Sequence, residues 1–169
     1  MKDVDSISAL VESETAKWIK THGGKMQISQ SGIELIKAHE GCELTAYKDQ
    51  GGVLTIGYGH TGQDFNDNSI WTQEQCDITL KNDLIRFEEC VNRLVTVIIN
   101  QNQFDALCSF SFNLGCRALA NSTLLRLLNE GNPNGAALEF KKWDHIGAKE
   151  IQGLLARRND EATLFSMEA

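Results

Sequence analysis

The sequence predicts an α+β fold in which a small lobe contains a β-hairpin and a larger lobe is helical. Two observations support this: strand-like runs occur near residues 44–60, and helical periodicity accounts for most of the remaining chain. The chain has 169 residues, of which 41% are hydrophobic and 23% are charged. A chain of this size forms one domain and buries a core without disulfide bridges. The composition excludes a disordered or low-complexity protein.

The small lobe is predicted over residues 29–60. Ser29 or Ser31 caps a helix that continues to His39 and stops at Gly41. Two strand-like runs follow at residues 44–47 and 53–58, and the turn-forming Asp and Gly residues lie between them. A helix followed by a small hairpin is therefore expected.

The larger lobe is predicted from a series of helix start and stop signals. Thr72 and Gln75 form a capping-box pattern, and apolar residues at helical spacing continue that helix to about Val97. Further helices are predicted from Asn102 to Gly115, from Ser122 to Gly131, from Asn134 to Trp143 and from Glu150 to about Phe165. Five or six helices therefore follow the hairpin.

The first 25 residues are predicted to be an appendage to the main domain. Residues 6–20 have an incomplete apolar stripe typical of a short helix, and a Gly-Gly linker follows it. We therefore divide the chain into an N-terminal helical appendage with its linker, residues 1–25, and a main domain, residues 26–169. The appendage has neither the apolar core of a secretory signal nor that of a membrane anchor.

The charge balance limits the classes of partner. The 16 basic and 23 acidic residues give a net charge of −7. This argues against nucleic acid and anionic membranes as partners, because both bind clustered basic residues. No run of apolar residues is long enough to span a membrane. A monomer is expected.

The five cysteines are an odd number and include no Cys-x-x-Cys pair. This pattern predicts reduced thiols and argues against a structural zinc site or a disulfide scaffold.

The candidate chemistry lies between Glu40 and Thr55. Glu40 falls in the last turn of the first predicted helix, where the free carbonyl groups disfavour an ionised carboxylate, as suits a general acid. Asp49 stands in the hairpin turn, where it stays solvated and ionised, and Thr55 on the returning strand could hold a water molecule. Two carboxyl groups in such different surroundings are typical of glycosidic bond cleavage. The alternative is structural: Glu40 would pair with a lysine, and Asp49 would only form the turn.

These residues belong to a longer pattern that resembles the phage-type lysozymes, or phage endolysins. That family has a Glu, an Asp nine residues later, a Thr six further on, and then Gly-x-Gly-His, which stand here as Glu40, Asp49, Thr55 and residues 57–60. The resemblance continues through residues 103–110, Asn113, Gly115, Trp143 and residues 153–158, so that it covers about residues 28–166.

The resemblance implies a lysozyme-like fold with a saccharide cleft between the lobes, in the main domain. It implies that Glu40 protonates the leaving glycosidic oxygen, while Asp49 directs a water molecule held by Thr55. The expected reaction is inverting hydrolysis of the β-1,4 bond between N-acetylmuramic acid and N-acetylglucosamine in bacterial peptidoglycan. No cofactor and no metal are expected, because this acid–base chemistry requires neither.

The remaining candidate residues are predicted to support the cleft. Gly57, Asn113 and Arg157 are candidate substrate-binding residues, and either Arg157 or Arg158 could pair with Glu40. His60 is expected to belong to the scaffold.

Two other functions stay open. A lytic transglycosylase would need the acid but no water-directing carboxylate, and a wall-binding module would need neither. For an endolysin without an export signal, we expect synthesis in the host cytoplasm and release to the cell wall through a holin-type pore.

Overall fold

The computed structural model describes residues 24–49, 51–146, 149–150 and 152–168. The helix predicted over residues 6–20 lies outside the described residues, and the division at residue 25 stays a prediction. Helix α1 (Gln30–Glu40) comes first and is followed by the two strands of the small lobe, β1 (Glu43–Lys48) and β2 (Leu54–Gly57).

Helix α1 begins and ends at the signals that the sequence contains. Ser29, the first of the two candidate caps, accepts a hydrogen bond from the Gly32 amide. Gly41 ends the helix with a φ of 67°, a left-handed conformation that glycine adopts without a steric penalty. Glu40 is therefore fixed as the last helical residue.

The predicted hairpin is confirmed. Strands β1 and β2 are antiparallel, with Tyr47 opposite Thr55 and Lys48 opposite Leu54. The pairing register changes between Glu43 and Tyr47, in the part of the hairpin that is farther from the turn. Strand β1 is largely exposed, whereas most of β2 is buried.

Helix α2 (Gln73–Leu94) links the lobes, and its 22 residues span about 33 Å. The predicted capping box of Thr72 and Gln75 is present. The predicted end near Val97 is wrong, because the helix stops at Leu94. The Asn129 side chain donates to the Leu94 carbonyl at 3.0 Å and accepts from the Thr96 amide at 2.9 Å, which ends the helix ahead of a β-branched run.

The helical lobe follows the predicted order with three corrected starts; the last helix begins at Gln152, because Glu150, its predicted start, lies in a short strand. Its elements are α3 (Gln101–Leu114), α4 (Cys116–Ala120), α5 (Thr123–Asn129), α6 (Pro133–Glu139), a 3₁₀ turn (Phe140–Trp143), a short hairpin of β3 (His145–Ile146) and β4 (Lys149–Glu150), and α7 (Gln152–Phe165). Asn100 caps α3 and Asn132 caps α6, each two residues before the predicted cap. Helix α4 and the second hairpin were not predicted.

Two clusters of buried side chains include residues from different parts of α2. The larger fills the helical lobe, where Phe110 packs edge-on against Phe140 and Trp143. The smaller joins α1 and Tyr58 to the first half of α2, and Ile36 and Leu84 are fully buried in it. These packed clusters fix α1, the hairpin and α7 relative to one another.

The cysteine prediction is wrong for two residues. Cys90 near the end of α2 and Cys116 at the start of α4 form a disulfide. Cys42, Cys76 and Cys108 are thiols. Within the described ranges, no helix is both long and apolar enough to cross a membrane.

Candidate active site

The carboxyl group of Glu40 lies at the junction of α1 and α7. Its side chain is 23% exposed, so one part faces solvent while another contacts the protein. The NH1 group of Arg157, which belongs to α7, donates a hydrogen bond to Glu40 Oε1. The structure thus selects Arg157 from the two candidate arginines.

Arg158 points elsewhere. It is fully buried, its guanidinium lies 5.1 Å from the Phe110 ring centroid, and its NH2 donates to Glu161 Oε1 at 2.8 Å. Burial lowers the pKa of Arg158, although the charge of Glu161 opposes this effect.

A second contact ties the end of α1 to α7. The Nε2 atom of His39 lies 2.9 Å from Asp160 Oδ2. Because His39 precedes Glu40 and Asp160 lies beside Glu161, this pair holds the same two segments together at the rim of the site.

Asp49 occupies the hairpin turn and is exposed. Its Oδ1 accepts hydrogen bonds from the amides of Gly51 and Val53, each at 2.8 Å. The turn-forming role considered for Asp49 is therefore present. A carboxylate has a second oxygen, and in the described part of the chain Asp49 Oδ2 accepts no hydrogen bond. A turn-forming role and a chemical role are compatible on this side chain.

Thr55 lies on β2 and is only 4% exposed. Its hydroxyl donates to the Val53 carbonyl at 3.0 Å. Val53 therefore binds Asp49 through its amide and Thr55 through its carbonyl, which groups the two side chains at one end of the hairpin. The Thr55 oxygen keeps lone pairs that can accept a hydrogen bond from water.

Gly57 and Asn113, the other candidate substrate-binding residues, have different surroundings. Gly57 is buried, and its φ of 65° already accounts for a glycine, because other residues rarely adopt this conformation. Asn113 is in the last turn of α3, and its buried Oδ1 has no hydrogen-bond partner among the described residues. Substrate contact by either residue stays a prediction.

His60 joins the small lobe to α2, as expected of a scaffold residue. Its Nδ1 lies 2.8 Å from Asp83 Oδ2, and its Nε2 lies 3.1 Å from Asp64 Oδ1. The ring packs against Phe65 and Trp71. Burial of the ring disfavours the imidazolium, but the two carboxylates outweigh this and raise the pKa of His60.

Sequence reasoning missed the partners behind Arg157. Arg157 Nε donates to Glu161 Oε1 at 3.2 Å, and Arg157 NH2 donates to the Ser109 carbonyl at 3.2 Å. The four-residue spacing of Arg157 and Glu161 on one helix was a usable signal for their pairing. Nothing in the sequence shows that Ser109 of α3 meets them.

A helical lobe, a small hairpin lobe, a carboxyl group at a helix end and another in the hairpin turn define a lysozyme-like protein, and comparison with known proteins agrees. The phage lysozyme family matches residues 37–161. The muramidase domain of SpmX from Asticaccaulis excentricus is 38% identical, with a TM-score of 0.80, and the match covers 85% of this chain and all of that one.

Two phage proteins have closer sequences. The endolysin of Salmonella phage P22 is 46% identical over 145 residues, which cover 83% of this chain and 98% of that protein. The endolysin of Bacillus phage PZA is also 46% identical, over 83% of this chain, but this chain spans only 55% of its length. The chain belongs to the phage lysozyme family.

Proposed function

We propose that this chain is an endolysin that hydrolyses the β-1,4 bond between N-acetylmuramic acid and N-acetylglucosamine in bacterial peptidoglycan. The observation that carries the proposal is the partly exposed Glu40 carboxyl, held by Arg157 at a helix end. The membership of the phage lysozyme family and the 46% identity to phage endolysins support the same assignment.

In the proposed reaction, Glu40 acts as the general acid. It transfers its proton to the glycosidic oxygen as the bond from that oxygen to the anomeric carbon breaks. The bond to Arg157 keeps the carboxyl at one orientation, and the exposed part of the side chain leaves the acid accessible to a sugar.

Asp49 acts as the general base on the opposite side of the sugar ring. It removes a proton from a water molecule whose oxygen forms the new bond to the anomeric carbon, which inverts that centre. The Thr55 hydroxyl, which already donates to Val53, accepts a hydrogen bond from this water. Inversion requires the two carboxyl groups to be about 6.5–9.5 Å apart to admit the water.

The lytic transglycosylase reaction is disfavoured by the presence of both Asp49 and Thr55 at the hairpin. In that reaction the sugar's own hydroxyl attacks, so no group is needed to direct water. The product would then be an anhydro-sugar rather than a reducing end.

Mass spectrometry of products from purified peptidoglycan tests the proposal. We expect reducing muropeptides from the unmodified protein and at least about 1,000-fold less from Glu40→Gln, because the near-isosteric amide cannot donate the acid's proton. Glu34→Gln is the matched control, since it removes an exposed carboxylate from the same helix and is expected to stay active. Activity of Glu40→Gln within tenfold of the unmodified protein would overturn the assignment.

The same proposal includes the biological setting. The main partner is peptidoglycan, the protein acts as a monomer, and it reaches the wall after release from the host cytoplasm through a holin-type pore. We expect that cells expressing this chain lyse only when a holin is co-expressed.

A further inference from the structure

Glu161 is a fully buried carboxylate on α7, directly behind Arg157. Its Oε1 accepts hydrogen bonds from Ser109 Oγ at 2.7 Å, Arg157 Nε at 3.2 Å and Arg158 NH2 at 2.8 Å. Its other oxygen lies 2.8 Å from Arg158 Nε. Burial raises the pKa of Glu161, whereas the charges of Arg158 and Arg157 and the hydrogen bond from Ser109 act in the opposite direction and favour the ionised carboxylate.

The guanidinium of Arg157 is divided among three partners. Nε is held by Glu161 and NH2 by the Ser109 carbonyl, while NH1 donates to Glu40. Because the guanidinium is planar and rigid, fixing two of its nitrogens also fixes the third. The direction from which Glu40 receives its hydrogen bond is therefore set by the buried side of the cluster.

The charges in the cluster also constrain Glu40. Two arginines from α7 carry two positive charges, and Glu161 offsets one of them within the protein interior. From α3 the contacting side chain is the neutral Ser109, and from α1 the neighbouring titratable group is His39, which faces Asp160. Without Glu161, Glu40 would face two uncompensated guanidinium groups, which favour the loss of its proton.

We propose that Glu161 is a positioning residue for the general acid, which aims Arg157 at Glu40 and limits the positive charge that Glu40 experiences. This inference rests on the proposed function of Glu40. Glu161 does not reach the substrate and acts only through Arg157.

The test compares pH profiles of kcat/KM on soluble peptidoglycan fragments for Glu161→Gln and Glu161→Asp. Glu161→Gln removes the charge, so we expect the alkaline limb to move to lower pH by about half a unit or more. We expect its kcat to fall about tenfold or more with KM little changed. Glu161→Asp retains the charge and is expected to keep the alkaline limb of the unmodified protein.

Asp105→Asn is the matched control. Asp105 is an equally buried carboxylate, but it accepts from the Ser29 amide at 2.9 Å, at the opposite end of α1 from Glu40. We expect Asp105→Asn to have a lower melting temperature and the same alkaline limb in its pH profile of kcat/KM as the unmodified protein. A folded Glu161→Gln with an unmoved limb, or an equal shift in Asp105→Asn, would overturn the proposal.

Ser109→Ala decides the matter if Glu161→Gln does not fold. It removes the hydroxyl that donates to Glu161 and accepts from Arg157 NH2 at 3.4 Å, while all charges remain, and a loss in kcat of about fivefold at unchanged KM is expected. An unchanged kcat would then reject the positioning role. An inactive unmodified protein, or an active Glu40→Gln, would instead reject the proposed function itself.

Discussion

Asp49 carries a turn-forming role and a proposed chemical role on one side chain, and a single substitution separates them. In Asp49→Asn, the side-chain oxygen still accepts from the amides of Gly51 and Val53, but the negative charge is lost. We expect hydrolysis to fall about 100-fold or more, because a neutral amide cannot take a proton from water. The melting temperature is expected to change little. Both are measured on purified protein, by muropeptide release and thermal denaturation.

Asp49→Ala is the control for the turn. It removes the acceptor as well as the charge, so we expect a loss of activity together with a lower melting temperature. Release of anhydro-muropeptides at an undiminished rate by Asp49→Asn would contradict the inverting mechanism and favour the transglycosylase.

At the residue scale, sequence reasoning could identify candidates but not all of their contacts. Glu40 and Asp49 stand at a helix end and a turn, and such local positions are encoded in nearby residues. Arg157 and Arg158 are adjacent in sequence, and only the packing of α7 against α3 shows which one meets Glu40. Glu161 was not identified as part of the site, because the burial of a carboxylate depends on the tertiary structure.

At the scale of elements, His60 fastens the segment after β2 to helix α2. Its ring bridges Asp83 and Asp64, and its backbone pairs with Ile56 through hydrogen bonds of 2.9 and 3.0 Å. Because the carboxylates raise the pKa of His60 in the folded state, the imidazolium binds its proton more tightly there than in the unfolded chain.

This linkage predicts a direction of pH dependence. The added stability is fully present below the unfolded pKa of about 6.5 and is lost as the pH rises through the higher folded value. We therefore expect the melting temperature to fall between pH 6 and pH 8, and to fall less in Asp83→Asn. Asp67→Asn, which removes an exposed carboxylate from the segment between His60 and α2, is the control. Equal slopes for all three proteins would contradict the linkage.

The helix boundaries show which local signals suffice. The Asn100–Gln103 capping box and the Asn132–Pro133 pair are readable patterns, so the starts misplaced at Asn102 and Asn134 came from choosing the later asparagine in each case. The end of α2 is different, because its carbonyl groups are capped by Asn129 from another helix. No local pattern contains that contact.

At the scale of the whole molecule, the layout of lobes was predictable and the covalent cross-link was not. Periodicity and turn residues mark a hairpin followed by helices. The Cys90–Cys116 pair is separated by 26 residues with no motif, and only the fold brings the two Cα atoms to 6.1 Å.

The disulfide gives a prediction for the stability of the chain. Cross-linking residues 26 apart restricts the unfolded chain and is expected to add about 3 kcal/mol to the free energy of unfolding. Denaturant unfolding with and without reductant measures this difference. The double variant Cys90→Ala with Cys116→Ala should be insensitive to reductant, and an unmodified protein with the same insensitivity would contradict the prediction.

Because of its position, the disulfide is expected to affect the stability of the protein but not its catalytic rate. It joins α2 to α4, whereas the candidate acid, base and arginine lie on α1, the hairpin and α7. Oxidation should therefore lengthen survival against proteases and leave the rate of each catalytic cycle unchanged. A reducing environment would therefore leave the chain more susceptible to proteases than an oxidising one.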